Sequence, residues 1–88
     1  MPTYTVEVVV FPLPTLLDPQ GETIQQALYR LGETAIRTVR AGRAFRLTIE
    51  ASSPETALSL AQTAAQKLLH NPIVETYQIN LLSPSPSI

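Results

Sequence analysis

Leu17-Asp18-Pro19-Gln20-Gly21 joins the apolar run Val6 to Phe11 to a helical pattern that starts near Pro19. The Asp18 carboxylate suits a backbone N–H of the first helical turn, and Pro19 suits the first helical position, where its missing donor is not needed. This is a capped strand-to-helix junction. Gly21 falls inside the first turn, where glycine costs roughly 1 kcal/mol relative to alanine. A glycine kept at that position implies that another backbone or surface approaches it closely.

Upstream of the junction, Thr3 to Phe11 alternates. Tyr4, Val6, Val8 and Val10 share one face; Thr5, Glu7, Val9 and Phe11 share the other. The run is β-branched and unbroken, which predicts a strand. Pro12 to Leu17 is a stiff loop, because its two prolines oppose regular pairing. Its Leu13, Leu16 and Leu17 either tuck under the domain or face a partner.

Downstream, Ile24, Ala27, Leu28 and Leu31 fall at i, i+3, i+4 and i+7, so Pro19 to Leu31 reads as a helix ended by Gly32. Thr34 to Ala41 is a weaker strand whose Ile36 and Val39 break strict alternation, as a bulge would. Ala41-Gly42-Arg43 then reads as a tight turn with Gly42 at positive φ. Ala44 to Ala51 alternates again, with Phe45, Leu47, Ile49 and Ala51 inward, which completes a hairpin.

Ser52-Ser53-Pro54-Glu55 offers two frames for a helix start, Ser53 before Pro54 or Ser52 with Glu55 as a capping box. That helix runs to about Leu69, with a wide face of small residues (Ala57, Ala61, Ala64) that lets it sit close on a sheet. His70-Asn71-Pro72 stops it. Ile73 to Leu82 is the last strand, with Ile73, Tyr77, Ile79 and Leu81 inward. The expected organisation is a single domain over 1–82 and a disordered Ser/Pro tail over 83–88.

The order β-α-β-β-α-β packs most simply as an α+β two-layer sandwich of ferredoxin-like order: an antiparallel sheet with two helices on one face. The other face then carries Val9, Phe11, Arg46 and Thr48, a mixed surface suited to self-association.

Composition narrows the function classes. The chain has 88 residues, 44% apolar and 15% charged, with a net charge of -1. Phosphate binding needs a cationic excess, so nucleic acid is not the expected partner. Four of the five arginines nevertheless cluster between Arg37 and Arg46. The absence of cysteine excludes disulfides, thiol nucleophiles and Cys-based zinc sites. No signal-peptide pattern opens the chain and no apolar run is long enough to span a bilayer, so no membrane association and a cytoplasmic location are expected.

No constellation points to catalysis. His70 stands alone at a helix end. Asp18 and the six glutamates form no paired-acid motif, and Ser52 and Ser53 are caps. There is no phosphate-cradling glycine loop and no metal-ligand spacing. An acylphosphatase-like activity would need an Arg between Pro12 and Asp18, and none is there. Arg40, Arg43 and Arg46 are either solvated turn residues or contacts for a carboxylate or other anion on a partner.

Three segments together resemble the PurS family of small subunits of phosphoribosylformylglycinamidine (FGAM) synthase. They are Leu17-Asp18-Pro19-Gln20-Gly21, Val39-Arg40-Ala41-Gly42-Arg43, and Leu68-Leu69-His70-Asn71-Pro72-Ile73-Val74-Glu75-Thr76-Tyr77. Their order and spacing cover residues 3 to about 80. Two departures stand out. The family usually has Lys where this chain has Arg43, and a Gly where Thr15 or Leu16 stands.

The resemblance implies a non-catalytic adaptor, an expected homodimer that is a dimer or tetramer when free. It would bridge a glutaminase subunit, PurQ, and an ATP-dependent synthetase subunit, PurL. No cofactor is expected on this chain; ATP and Mg would belong to the synthetase. The implied partner interface is Asp18, Pro19, Gln20, Gly21, Arg40, Gly42, Arg43, Asn71 and Pro72. Gly21→Leu or Arg43→Glu is then expected to weaken complex formation and leave the fold intact. The alternative is a small-molecule-binding regulatory module of the ACT type, which shares the element order but usually places Gly early in the first strand-to-helix loop. An RNA-binding fold of the same order would need aromatics on the open faces of the central strands, where Phe11 stands alone.

Overall fold

In the computed structural model, which describes residues 2–83, strand β1 (Thr3–Pro12) lies at the centre of a three-stranded antiparallel sheet. Its neighbours are β2 (Arg43–Glu50) and β3 (Glu75–Ser83), in the order β2-β1-β3. Val6 stands opposite Leu47 and Leu81, and Val8 opposite Phe45 and Ile79. The alternation in the sequence therefore sorts correctly. Tyr4, Val6, Val8 and Val10 share a face with Phe45, Leu47, Ile49, Tyr77, Ile79 and Leu81. Val6, Val8 and Val10 are fully buried there, worth roughly 1.5–3 kcal/mol each relative to exposure.

Helix α2 (Pro54–Ala64) covers that face. Ser53 is its N-cap, accepting the Thr56 N–H at 3.2 Å, so the frame with Pro54 at the first helical position is the one used. Ala57, Ala61 and Ala65 are buried against the valines at spacings of four, and their small side chains allow close approach. Expected to stay α-helical to about Leu69, the chain instead widens into a π-helical turn over Ala65–Leu69, which His70 ends. The Ala65 carbonyl accepts both the His70 backbone N–H at 3.2 Å and its ring Nδ1 at 2.6 Å. A carbonyl only accepts, so Nδ1 carries the proton.

Helix α1 (Pro19–Arg30) starts and stops as its sequence says. Asp18 caps the first turn through Gly21 N–H at 3.1 Å. At the other end Gly32 takes φ 96°, while Gly32 N–H reaches Tyr29 O and Glu33 N–H reaches Leu28 O, both at 3.0 Å, the two bonds of a Schellman stop. Its apolar stripe does not bury, however, and Gly21 is its one buried residue.

Several boundaries need correction. The α+β, ferredoxin-like class stands, but with three strands among the described residues. Thr34 to Ala41 is not a strand: Thr34 and Ala35 form a turn and the chain runs on from Ile36 without a ladder, because the mismatched Ile36 and Val39 meet no sheet edge among the described residues. There is consequently no hairpin, and Gly42 does not take positive φ. It is required for space instead, since a Cβ there would overlap the Val10 carbonyl oxygen and lie 2.7 Å from Phe11 Cδ1. The last strand starts at Glu75, after a turn that leaves Ile73 80% exposed rather than inward. The expected tail lies, from residue 84 onward, outside the described residues.

Candidate functional site: the junction of three segments

At the end of the sheet where β1 stops and β2 starts, the three distinctive segments meet. Asp18 is the first link. One carboxylate oxygen accepts Gly21 N–H, and the other accepts Ala41 N–H at 2.8 Å, so a single side chain joins the α1 cap to the segment before β2. The Ala41 N–H, then the Gly21 N–H, and the nearby Arg40 charge hold its pKa below the ordinary carboxylate value. Gly21 meets the expectation of a close approach: a Cβ there would overlap the Val39 carbonyl oxygen and lie 2.5 Å from Asp18 Oδ2.

Arg40 is the second link. Its guanidinium donates to the carbonyls of Pro12 at 3.0 Å and Leu13 at 2.9 Å, which stitches the loop after β1 to the returning chain. Arg43 is the third. It forks onto both oxygens of Glu75, with Nη2 to Oε1 at 2.9 Å, and also donates to the Leu69 carbonyl at 2.9 Å. The Glu75 Oε1 accepts Asn71 N–H at 2.8 Å. Arg43, and after it the Asn71 N–H, push the Glu75 carboxyl down to about 2, and Glu75 raises Arg43. The Asn71 side chain folds back onto Ile73 N–H at 3.1 Å, and Leu13 N–H reaches the Val74 carbonyl at 2.9 Å.

The residues singled out from sequence thus fall into two places. Asp18, Pro19, Gln20, Gly21, Arg40, Gly42 and Arg43 gather around this junction, and Asn71 and Pro72 border it through Glu75 and Leu69. A shallow pocket of about 500 Å³ opens among them, lined in part by Asp18, Gln20, Gly42, Arg43 and Glu75. Val9, Phe11, Arg46 and Thr48 lie on the sheet face away from α2, with Arg46 paired to Glu7 at 3.5 Å. Phe11 links the two places by standing beside Gly42. In the loop, Leu13 is half-buried while Leu17 is 74% exposed, so the loop leucines divide between tucking in and facing outward.

Two sequence readings change. Arg40 and Arg43 are staples within the chain, bound to carbonyls and to Glu75, rather than free anion contacts. Gly21→Leu and Arg43→Glu would therefore damage the junction itself and do not isolate partner binding. Glu75 was missed as a member. Its place inside the third segment was visible, but its partner 32 residues earlier was not.

The comparisons with known proteins follow this geometry. The family model PurS, phosphoribosylformylglycinamidine (FGAM) synthase, matches residues 5–83, which holds all three linked segments. The chain belongs to the PurS family. It is 36% identical over 75 residues to the PurS subunit of Bacillus subtilis, covering 85% of this chain and 88% of that one. To the PurS subunit of Thermotoga maritima it is 35% identical over 65 residues, 74% of this chain and 79% of the other. Among solved structures it resembles a chain of PurLQS from Thermotoga maritima with a TM-score of 0.86 at 32% identity, covering 93% of this chain and all of that one. It also resembles PurS of Methanocaldococcus jannaschii, described as one of the subunits of formylglycinamide ribonucleotide amidotransferase in purine biosynthesis. There the TM-score is 0.79 at 28% identity, over 90% of this chain and 95% of the other. PurS membership makes the chain a subunit of FGAM synthase and favours that reading over an ACT-type module, to which the late position of Gly21 was already poorly suited.

Proposed function

We propose that this PurS chain is the adaptor of a three-component FGAM synthase, joining a PurQ-type glutaminase to a PurL-type synthetase so that ammonia passes between them. The observation that carries it is the match, over 93% of the chain, to a subunit solved within PurLQS. The junction supports the same reading. Asp18, Arg40, Arg43 and Glu75 fix three chain segments into one rigid surface whose outward members, Pro19, Gln20, Asn71 and Pro72, are exposed and free to meet a partner.

The chemistry explains why an adaptor is needed. Ammonia in neutral water is mostly ammonium, which has no lone pair for attack. An enclosed path keeps it neutral and concentrated at the synthetase, where ATP activates the amide oxygen that ammonia displaces. In this scheme ATP and Mg belong to the synthetase, the PurS chain holds no cofactor, the complex is cytoplasmic, and two PurS copies act as a homodimer. No helix among the described residues is long and apolar enough to cross a membrane.

Reconstitution tests this. Glutaminase and synthetase from the same source are mixed with and without the chain, and amidine formation is followed from glutamine and from ammonium salt. Glutamine-driven turnover should require the chain, while ammonium-driven turnover should not. Equal glutamine-driven rates with and without it would overturn the adaptor role.

A further inference from the structure

Of the four arginines between residues 37 and 46, three are spent inside the chain. Arg40 holds the Pro12 and Leu13 carbonyls, Arg43 holds Glu75, and Arg46 faces Glu7. Arg37 is the remainder. It is exposed and makes no hydrogen bond or ion pair among the described residues. Exposure alone would make it a solvated side chain, but its position gives it more to do.

Arg37 borders a pocket of about 380 Å³ beside the junction. The segment 37–40 forms one wall, Leu16 and Leu17 a second, and the first two turns of α1 the third. Glu22 and Gln25, three residues apart, share a face of α1 that the apolar stripe of Ile24, Ala27 and Leu31 does not. Gln25 donates its Nε2 to the Ile36 carbonyl at 3.3 Å, which ties the third wall to the first and leaves its Oε1 to accept.

The formal charges around the pocket cancel, with Arg37 and Arg40 on one wall and Asp18 and Glu22 on another. Two of these are already committed. Asp18 is 7% exposed and both its oxygens accept backbone N–H groups, while Arg40 holds carbonyls. Arg37 and Glu22 remain. They border the same cavity from different walls, yet they form no ion pair with each other. Opposite charges held apart across a small cavity fit a ligand that carries both signs.

We propose that this pocket binds a free α-amino acid of zero net charge. Its carboxylate meets the planar fork of the Arg37 guanidinium, and its ammonium meets Glu22 and the Gln25 Oε1. A simple anion would gain Arg37 but set like charge against Glu22, and a simple cation would do the reverse. Leu16 is 38% exposed and Leu17 74%, so a side chain with methylenes laid along them removes apolar surface from water. Glutamine is the ligand to expect. That choice rests on the proposed function, in which the glutaminase partner consumes it; its neutral amide also leaves the cancelled charges undisturbed.

Amide NMR of the full chain, titrated with glutamine, tests this. The amides of 16–17, 22–25 and 37–39 should shift together and saturate at millimolar glutamine. Glutaramate, which lacks the ammonium, and γ-aminobutyramide, which lacks the carboxylate, should not reach saturation over the same range. Arg37→Gln and Glu22→Gln should each weaken glutamine binding by about tenfold or more with unchanged circular dichroism. Arg46→Gln, on the sheet face away from α2, should bind as the wild type does. Absence of saturable shifts, equal binding of either truncated ligand, or wild-type binding by the Arg37 and Glu22 variants would overturn the proposal. Glutamine binding by a chain that fails to couple the two larger subunits would uphold the site and overturn the adaptor role; coupling without glutamine binding would do the opposite.

Discussion

The Arg43 guanidinium grips both carboxylate oxygens of Glu75, and so pins the first residue of β2 to the first residue of β3 across the end of the central strand. Arg43 also holds the Leu69 carbonyl, so the last turn before His70 is fixed by the same fork. A Lys at this position would supply one ammonium where the fork supplies a planar pair of donors. Arg43→Lys should keep the ion pair and lose the simultaneous hold on Leu69, visible as faster amide exchange at 68–71.

Acid should loosen this end of the molecule. Glu75 is held at about 2 against an ordinary 4.5, and Asp18 is held below 3.8. Carboxyls depressed in the folded state stabilise it above their unfolded values and lose that contribution as pH falls through the folded ones. The melting temperature should be flat from about pH 8 to about pH 5 and fall below that, most steeply between the unfolded and folded values. Glu75→Gln should flatten part of the fall, which a pH series of thermal melts would show.

The three glycines should rank by cause. Gly21→Ala and Gly42→Ala force a Cβ into the Val39 and Val10 carbonyls, and each should cost about 1–3 kcal/mol. Gly32→Ala meets nothing within 4 Å but strains a φ of 96°, so about 1 kcal/mol is expected. Urea denaturation of the three variants measures the order.

The close seat of α2 depends on small residues. Ala61→Leu should destabilise by about 1–3 kcal/mol through overpacking. Val8→Ala in the same buried cluster should cost about 2–3 kcal/mol through lost burial and a cavity. If the volume added at position 61 fills the Val8 cavity, the double variant should cost less than the sum, and equilibrium unfolding in a double-mutant cycle reads that coupling.

Partner contact is best probed where the junction is not itself disturbed. Gln20 and Pro72 are exposed. Gln20→Glu with Pro72→Glu should leave the melt unchanged and weaken binding to the PurL- or PurQ-type subunit at least tenfold, measured by pull-down titration.

Much of this was legible in the chain. The alternation of Tyr4 to Val10, the Asp18-Pro19 and Ser53-Pro54 starts, and the Gly32 stop are local signals, and local backbone chemistry decides them. Gly21 was legible as a close approach, although not to which backbone. Two things were hidden. The strand pattern at 34–41 is genuine in composition but needs an edge to pair with, and no periodicity reveals that the segment runs away from the sheet, whose outer β2 and β3 edges stay unpaired among the described residues. Arg40 and Arg43 looked like partner-facing cations because their acceptors, the Pro12 and Leu13 carbonyls and Glu75, lie some thirty residues away.

The strand order has a cost during synthesis. β1 leaves the ribosome before both of its neighbours, yet it is the middle of the finished sheet, with one neighbour drawn from the last residues described. Until β3 is made, Val8-Val9-Val10 can pair on its β2 side alone, and an apolar strand with an open edge is the sort of segment that nascent-chain chaperones hold and that clumps when they do not. A chain truncated before Glu75 should be made at normal rates and recovered in inclusion bodies, because the strand that closes the second edge of β1 is the last of the three to arrive.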